Sequence, residues 1–304
     1  MKKPYRIIIW GHERVYRSKI NILNCLEEHG DIEVVGITGR NPRGIRAFDG
    51  HSFIPRELVT GIDHDYILIM AGDAFEKEII ESYMQMPGAD RKKLIPGRVL
   101  DIPGLSFDRY LEIKNSRMTF FSPMCWAGVL YHALGMECLS PIKNMWITEQ
   151  DYLKFLENFE YYLELTPEFA FREPNALEPQ AGDHPVLRLG DIELHCLHYK
   201  SAERAVDDWV RRRKKVNPDN LFAMMFTEDR EIERRFNRLT TIGRKLCLVP
   251  YPTDEACSRF LPKTKKWYWM DVNDSLIDKP AFDIYSLFFG DVKMRISYDP
   301  PNEK

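Results

Sequence analysis

Short apolar runs alternate with amphipathic segments along the first hundred residues of the chain. The runs Arg6–Trp10, Ile32–Thr38 and Tyr66–Met70 are rich in β-branched residues and read as buried strands. Ser18–His29 and Phe75–Met86 place their apolar residues three or four positions apart, which is typical of helices. Strands that alternate with helices in this way predict a parallel sheet of the doubly wound type.

The second half of the chain begins with a helix and then resumes the alternation. Thr148 is a predicted N-cap, and the helix that follows it carries an aromatic stripe typical of core packing. Phe169–His184 has no periodicity and is predicted to be a loop. Asp191–Tyr199 and Leu221–Phe226 are predicted strands, and a helix capped by Ser201 lies between them. This order again favours a parallel sheet.

The length of 304 residues suits two domains of ordinary size. We predict an α/β protein with a degenerate Rossmann-like domain at residues 1–115 and an α/β domain at residues 116–304. The helix Phe107–Lys114 would form the bridge, and helical and strand patterns at Phe282–Phe289 and Lys293–Ser297 would close the second domain.

Composition narrows the classes of partner. The net charge of −3 gives the protein no overall positive potential that would attract nucleic acid. No apolar segment approaches the roughly 20 residues that are needed to span a bilayer. The six cysteines are scattered without a C-x-x-C pair, which favours reduced thiols in a cytoplasm. We therefore expect a cytoplasmic protein with no membrane span and no nucleic-acid partner.

The predicted first domain lacks the glycine-rich loop of a dinucleotide site. Only Gly11 follows the first strand, and the second strand ends in Thr38-Gly39-Arg40 without the acid that holds a ribose hydroxyl. NAD binding is therefore disfavoured. Arg40 would suit a phosphate, so another nucleotide or a sugar nucleotide stays open beside a purely structural fold. The cofactor is left unknown.

Most of the chemically able side chains lie between His195 and Phe226. On a strand, His195 and His198 point to opposite faces and cannot share one metal ion, so no metal site is predicted. His198 continues the apolar face of the predicted strand. It is either a hydrogen-bonded core histidine or, at the strand's exit, a general acid or base.

Five consecutive basic residues end the helix that Ser201 caps. At about 100° per residue, Arg213 falls on the apolar stripe and Arg212 at its flank, whereas Arg211, Lys214 and Lys215 face solvent. A buried arginine needs a partner, either a carboxylate of this chain or a substrate phosphate.

Two turns supply further candidate residues. Asn217 and Asn220 can bond the backbone or the hydroxyls of a ligand. Cys125 would need a nearby base to act as a nucleophile and is otherwise a buried structural cysteine. Trp126 is either a core residue or a stacking platform for a sugar.

Several short motifs over residues 115–250 carry a family resemblance. They are Cys125-Trp126-Ala127-Gly128, Ser140-Pro141, Asp151-Tyr152, Phe155-Leu156, Tyr161-Tyr162, His198-Tyr199, Ala205, Trp209, Arg211-Arg212, Asn217 and Asp219-Asn220. They resemble a bacterial family of unknown function that is often labelled exopolysaccharide biosynthesis protein. The chain departs from the family pattern at Met124, where asparagine is expected, and at Lys215, where arginine is expected. The first domain loosely resembles the nucleotide-fold modules of polysaccharide-biosynthesis enzymes.

The resemblance implies a role in surface-glycan assembly. We hypothesise a transferase that acts on a glycan precursor, with a sugar nucleotide as a candidate partner. His198 would be the acid or base, and Arg212 and Arg213 would hold a diphosphate. Asn217, Asn220 and Trp126 would contact the sugar. The alternative is a non-catalytic scaffold of a membrane glycan-assembly complex, with Arg211, Lys214 and Lys215 facing an acidic partner.

Overall fold

The computed structural model describes residues 3–40, 44–104, 106–175, 182–276 and 280–295. The chain forms two compact units. The first contains Met1–Tyr110 and Ala133–Gly135, and the second contains Leu111–His132 and Met136–Lys304. The boundary falls within a helix, α3 (Phe107–Asn115), in the segment where the sequence indicates a bridge.

The first unit is built on a parallel sheet. Its strands are β1 (Tyr5–Trp10), β2 (Ile32–Thr38), β3 (Ala47–Phe48), β4 (His51–Ser52), β5 (Tyr66–Ile69) and β6 (Leu94–Pro96), and its helices are α1 (Arg14–Glu28) and α2 (Asp73–Met84). The sheet order is β2-β1-β5-β6 with all three pairings parallel, and β3 and β4 form a separate antiparallel pair. The prediction of a parallel α/β fold is confirmed.

Gly11 has a packing role where β1 ends. Its φ of 109° lies in the region that favours glycine, and an added Cβ would lie 2.6 Å from the carbonyl oxygen of Met70. Its N–H donates to the Thr38 carbonyl at 2.8 Å. Close backbone approach at the ends of three neighbouring strands therefore accounts for this glycine without a pyrophosphate.

The second unit contains two sheets. Its strands are β7 (Thr119–Phe121), β8 (Glu168–Pro174), β9 (Asp183–Leu189), β10 (Ile192–His195), β11 (Leu221–Phe226), β12 (Arg244–Val249) and β13 (Ser258–Phe260). Its helices are α4 (Trp126–Ala133), α5 (Glu149–Glu157), α6 (Phe159–Glu164), α7 (Ala202–Arg213), α8 (Arg230–Arg238) and α9 (Tyr268–Asp274). One sheet is parallel with the order β13-β12-β11-β7, and the other is antiparallel with the order β10-β9-β8.

The antiparallel sheet differs most from the sequence prediction. The segment expected as a loop, Phe169–His184, contributes to β8 and β9, although residues 176–181 lie outside the described part. The strand expected at Asp191–Tyr199 ends at His195 and gives way to a turn. Prolines within and beside these two strands hid the sheet, and β8 is mostly exposed, so it carries no alternation of apolar and polar residues.

Other boundaries are closer to the prediction. Thr148 caps α5 by accepting the Asp151 N–H at 3.2 Å, but the aromatic helix is interrupted at Asn158. The helix expected at Phe282–Phe289 is a single 3₁₀ turn, Ile284–Leu287. The strand expected at Lys293–Ser297 lies partly outside the described residues, and within them Met294 forms one bridge to Phe282.

The core of the second unit joins both sheets to their helices. Its fully buried members include Phe121 of β7, Phe155 of α5, Leu194 of β10 and Trp209 of α7. The aromatic stripe after Thr148 is therefore core, as predicted. Across the part of the chain that the structure describes, no helix is both long and apolar enough to cross a bilayer.

Candidate functional site

Cys125 stands between a strand and a helix of the second unit. The buried strand β7 ends at Phe121, and the Cys125 carbonyl accepts the Val129 N–H at 2.9 Å, the first hydrogen bond of α4. Buried Ser122 fixes the turn because its hydroxyl donates to the Met124 carbonyl at 2.6 Å and accepts the Ala127 N–H at 3.1 Å. Cys125 is therefore the N-cap residue of α4, where the helix dipole favours a negatively charged group.

His198 lies in the turn that follows β10. His195, the last residue of that strand, exchanges backbone hydrogen bonds with Trp146 at 2.8 and 2.9 Å, and the Tyr199 N–H donates to the Cys196 carbonyl at 2.9 Å. His198 is exposed at the apex, whereas Cys196 and Tyr199 are buried beside it. The expectation that His198 continues the apolar face of a strand is wrong, because β10 ends three residues earlier.

The two turns bring Cys125 and His198 together. The Cys125 Sγ lies 3.1 Å from His198 Nε2, within hydrogen-bond distance, although the residues are 73 positions apart. Cys125 is partly buried and remains a thiol, as do the other five cysteines. The sequence supplies each residue as a candidate, but only the fold places the base beside the nucleophile. This pair has the geometry of a thiol activated by an imidazole.

The segment before α5 ties these turns to one another. The Ile147 N–H donates to the Pro123 carbonyl at 2.9 Å, and Trp146 pairs with His195. Asn144, in the left-handed region with a φ of 63°, and Lys143 pack on the first turn of α4. A Cβ added to Gly128 would lie 3.2 Å from Asn144 Oδ1 and 3.5 Å from Lys143 Cε. An amide and an ammonium-bearing side chain therefore flank the helix turn that Cys125 caps.

A buried polar network anchors the turn that carries His198. The Arg212 guanidinium donates to the Tyr199 hydroxyl at 2.8 Å and to Asp208 Oδ2 at 2.8 Å. The Tyr199 hydroxyl in turn donates to the same Asp208 oxygen at 3.2 Å. Arg212 also reaches the Lys143 carbonyl at 3.4 Å. Arg212, expected to hold a diphosphate, therefore joins α7 to the turn beside His198 and to the Lys143 segment.

The charges of this network are matched inside the protein. Burial opposes the charged form of Asp208, but the hydrogen bond from Arg211 and the charge of Arg212 outweigh it and lower the pKa of that carboxyl. Burial raises the pKa of Tyr199 to about 12, against the opposing effect of Arg212. Tyr199 is thus a neutral hydroxyl at physiological pH, and Asp208 is a carboxylate.

Arg213 and the two asparagines are also engaged by the protein. Arg213 is half-buried, and its guanidinium donates to the carbonyls of Glu164 and Leu165 at 3.0 and 2.6 Å, just after α6. The Asn217 and Asn220 amides donate to the carbonyls of Arg117 and Ser116 at 3.1 and 2.9 Å. The sequence places Arg213 on the buried stripe with either a carboxylate or a phosphate as its partner, but the buried arginine is Arg212, and its partner is the Asp208 carboxylate.

Trp126 begins α4 and points into the core. Its side chain is fully buried, its ring lies 6.0 Å from that of Phe282, and its indole N–H has no hydrogen-bond partner. It cannot stack on a ligand without rearrangement of the core.

The three basic residues that were expected to face solvent, at the end of α7 and just beyond it, differ in their pairing. Arg211 donates to Asp208 at 2.7 Å, and Lys215 forms an ion pair with Glu137. Lys214 is exposed. Most of the surface that a scaffold would use is thus paired within the chain.

The first unit has a separate cleft of about 780 Å³ at the end of β2. It is lined by Gly39, Arg40, Ile45, Arg46, Phe53, Pro55, Arg56 and Glu57. Arg56 is positioned by its Nε, which donates to the Gly39 carbonyl at 3.1 Å. Three arginines against one glutamate give the lining a positive balance. This is the carboxyl edge of the parallel sheet, where ligands of such folds bind.

Two family models match successive parts of the chain. Residues 3–95 match the model described as C2185-like, N-terminal, and residues 97–272 match the model described as Domain of unknown function (DUF1919). An uncharacterized protein of Haemophilus influenzae is 32% identical over 145 residues, which are 46% of this chain and 66% of that protein. None of these descriptions contains a glycan term.

The Cys125–His198 pair and the Tyr199–Asp208–Arg212 network both lie within residues 97–272, the span of the second match. This span covers more than half of the 304 residues. The chain therefore belongs to the DUF1919 family, a bacterial family whose function is unknown.

Proposed function

We propose that the second unit is a group transferase that uses Cys125 as its nucleophile and His198 as its general base. The observation that carries the proposal is the 3.1 Å separation of Cys125 Sγ and His198 Nε2. The position of Cys125 at the N-terminus of α4 favours its thiolate form. Lys143, whose stem packs on the same helical turn, adds positive charge nearby.

The reaction that this pair supports best is acyl transfer. His198 accepts the thiol proton, the Cys125 sulfur attacks an ester or thioester carbonyl, and the leaving group departs with the proton from His198. The resulting thioester on Cys125 is then attacked by a hydroxyl, whose proton passes to His198. The products are the acylated acceptor and the original thiol, so the cycle needs no redox partner.

The acceptor in this proposal is a hydroxyl of a surface-glycan precursor. This choice follows the resemblance of residues 115–250 to the exopolysaccharide-labelled family, and water would be the alternative acceptor. A cytoplasmic setting, where thiols stay reduced, suits a mechanism that depends on Cys125. The assignment of Arg212 and Arg213 to a diphosphate is not carried forward, because both guanidinium groups are occupied by protein acceptors.

The first test measures the reactivity of Cys125 with iodoacetamide, followed by peptide mass spectrometry. Cys25 is an internal control because it is exposed and has His29 Nδ1 at 3.6 Å, but it lies near the C-terminus of α1. We expect Cys125 to react at least about tenfold faster than Cys25 near neutral pH. The His198→Gln variant should abolish that advantage. Equal rates for Cys125 and Cys25, or an unchanged rate in His198→Gln, would contradict the proposal.

The second test looks for the covalent intermediate. Full-length protein is incubated with a panel of activated esters and acyl thioesters, and intact mass and peptide mapping locate any adduct. The proposal expects an acyl group on Cys125 in wild type, much slower acylation of Cys125 in His198→Gln, and none at that position in Cys125→Ser. Acylation only at Cys25 or at lysines would reject the reaction.

A second candidate function concerns the first unit. The cleft beyond β2 is lined by three arginines, and this favours binding of a phosphate-bearing ligand such as a sugar nucleotide. Isothermal titration with phosphate, a nucleoside diphosphate and a sugar nucleotide tests it. Arg46→Gln and Arg56→Gln should weaken binding by at least about tenfold, as for a lost charged hydrogen bond. Arg17→Gln, exposed on α1, is the control. Equal affinity in all variants would reject the site.

A further inference from the structure

The antiparallel sheet of the second unit carries three potential metal ligands on adjacent strands. Glu173 lies on β8, His184 on β9 and His195 on β10. Glu173 is directly opposite His184 in the register, and His195 is opposite Val186, two residues along β9. Because side chains two residues apart on a strand share a face, all three project from the same side of the sheet.

The side chains converge on one point. His195 Nδ1 lies 2.8 Å from Glu173 Oε2, and His184 Nε2 lies 3.7 Å from the same oxygen. One ligand atom from each of the three residues falls within 4.8 Å of the others. No other group of this kind occurs among the residues that the structure describes.

His184 is the feature that a hydrogen-bond network does not explain. Its side chain is 4% exposed, yet neither ring nitrogen has a hydrogen-bond partner. His195 is also buried, with the ring of Trp146 lying 4.6 Å from its own. Buried polar groups are almost always hydrogen-bonded. An imidazole that faces a carboxylate with neither ring nitrogen hydrogen-bonded therefore indicates a ligand that is not part of the protein chain.

We propose that Glu173, His184 and His195 bind a divalent transition-metal ion, with Zn²⁺ as the expected occupant. Two imidazoles and one carboxylate are a ligand set that zinc accepts while keeping a fourth position for water or substrate. Bound metal would replace the Glu173–His195 hydrogen bond. The site does not include Cys125 or its proposed reaction. It contains His195 but not His198, in agreement with the sequence argument that these two histidines cannot share one metal ion.

Three separate facts hid this site from the sequence. His184 falls in the segment predicted to be a loop, so it has no assigned face. Glu173 belongs to the same segment. The ligands come from three strands whose pairing, not their spacing, brings them together.

The experiment is a titration of Zn²⁺ into chelator-stripped full-length protein, followed by calorimetry. The Cys125→Ser background removes the proposed reactive thiol as a competing ligand. We expect one Zn²⁺ ion per chain, and at least a tenfold loss of affinity in Glu173→Gln and in His184→Gln. Glu168→Gln, an exposed position on the same strand, should bind as the parent does. Co²⁺ should give weak absorption bands without a strong thiolate charge-transfer band.

Some outcomes would overturn the proposal. These are the absence of Zn²⁺ binding by the parent, or equal affinity in Glu173→Gln and Glu168→Gln. A strong Co²⁺–thiolate band would place the metal on a cysteine. If His184→Gln fails to fold, Glu173→Gln still tests the metal site. This variant should fold, because the Glu173 side chain is 44% exposed and glutamine has the same shape.

Discussion

The Arg212 guanidinium donates a hydrogen bond to the Tyr199 hydroxyl at 2.8 Å. Tyr199 immediately follows His198 in the sequence. The guanidinium and the hydroxyl also both bond to Asp208, which lies one turn before Arg212 on α7. The helix therefore holds the turn that presents His198 to Cys125. Arg212 acts on the proposed reaction through His198, as a positioning residue, and it does not have to touch a substrate.

Loss of Arg212 should destabilise the fold strongly. Arg212→Gln leaves Asp208 without its buried partner, and breaking such a buried pair costs about 3 kcal/mol of unfolding free energy. Arg211→Gln removes the other, exposed partner of Asp208 and should cost less than about 1 kcal/mol. Urea unfolding of both variants measures the difference. Equal losses would mean that the buried pair with Arg212 contributes no more to stability than the exposed pair with Arg211.

The same network should control the reactivity of Cys125. Tyr199→Phe keeps the buried ring but removes the hydroxyl that joins Arg212 to the turn. We expect the variant to fold and to alkylate at Cys125 more slowly than wild type, with a changed pH profile, because His198 is less well held. Alkylation at Cys25, in the other unit, should not change. An unaltered Cys125 profile would show that the network only stabilises the fold.

Acid should weaken the protein partly through Asp208. Since its folded pKa is lowered, Asp208 contributes stability that is fully present above its unfolded pKa of about 4 and is lost as pH falls through the folded value. Urea midpoints measured from neutral pH to about pH 3 should therefore fall less steeply in Asp208→Asn than in wild type. Asp207→Asn, exposed on the same helix, is the control and should keep the wild-type slope.

Elements with strong periodicity could be predicted from the sequence, and elements defined by pairing could not. The parallel strands β1, β2 and β11 and the Ser201-capped helix α7 lie where apolar runs and cap residues indicate them. The strands β8 and β9 were missed because β8 is mostly exposed and shows no apolar alternation, and because prolines lie within both strands.

The candidate site follows the same rule. Cys125 and His198 are each recognisable as chemically able residues, but their contact depends on two turns 73 positions apart. The helical wheel also predicted the wrong burial for two arginines: it placed Arg213 on the buried stripe and Arg212 at its flank, whereas Arg212 is buried and Arg213 is half-buried. A shift of one residue, about 100°, moves a side chain from a core stripe to its flank, and Asp208 four residues earlier settles which arginine is buried.

Trp126 should behave as a core residue. Trp126→Ala removes a fully buried ring and should cost about 3–5 kcal/mol of unfolding free energy. Trp126→Phe should cost much less, because it also removes an indole N–H that has no partner. Trp267→Ala, at a side chain that is 51% exposed, is the control. A stable Trp126→Ala variant would instead restore the stacking role that the sequence left open.

Asn217 and Asn220 should contribute to stability and not to ligand affinity. Each amide donates to a backbone carbonyl of the Ser116–Arg117 turn before β7, and the Asn217 N–H also donates to the Thr119 hydroxyl at 2.9 Å. Substitution of either by alanine should cost about 1 kcal/mol, the net value of one such hydrogen bond. Asp219→Ala, exposed in the same turn, should be nearly neutral. Urea unfolding curves measure the stability of each variant, and the rate of Cys125 acylation measures whether its proposed activity changes. Alanine variants that keep wild-type stability but lose acylation would instead place these amides on the substrate.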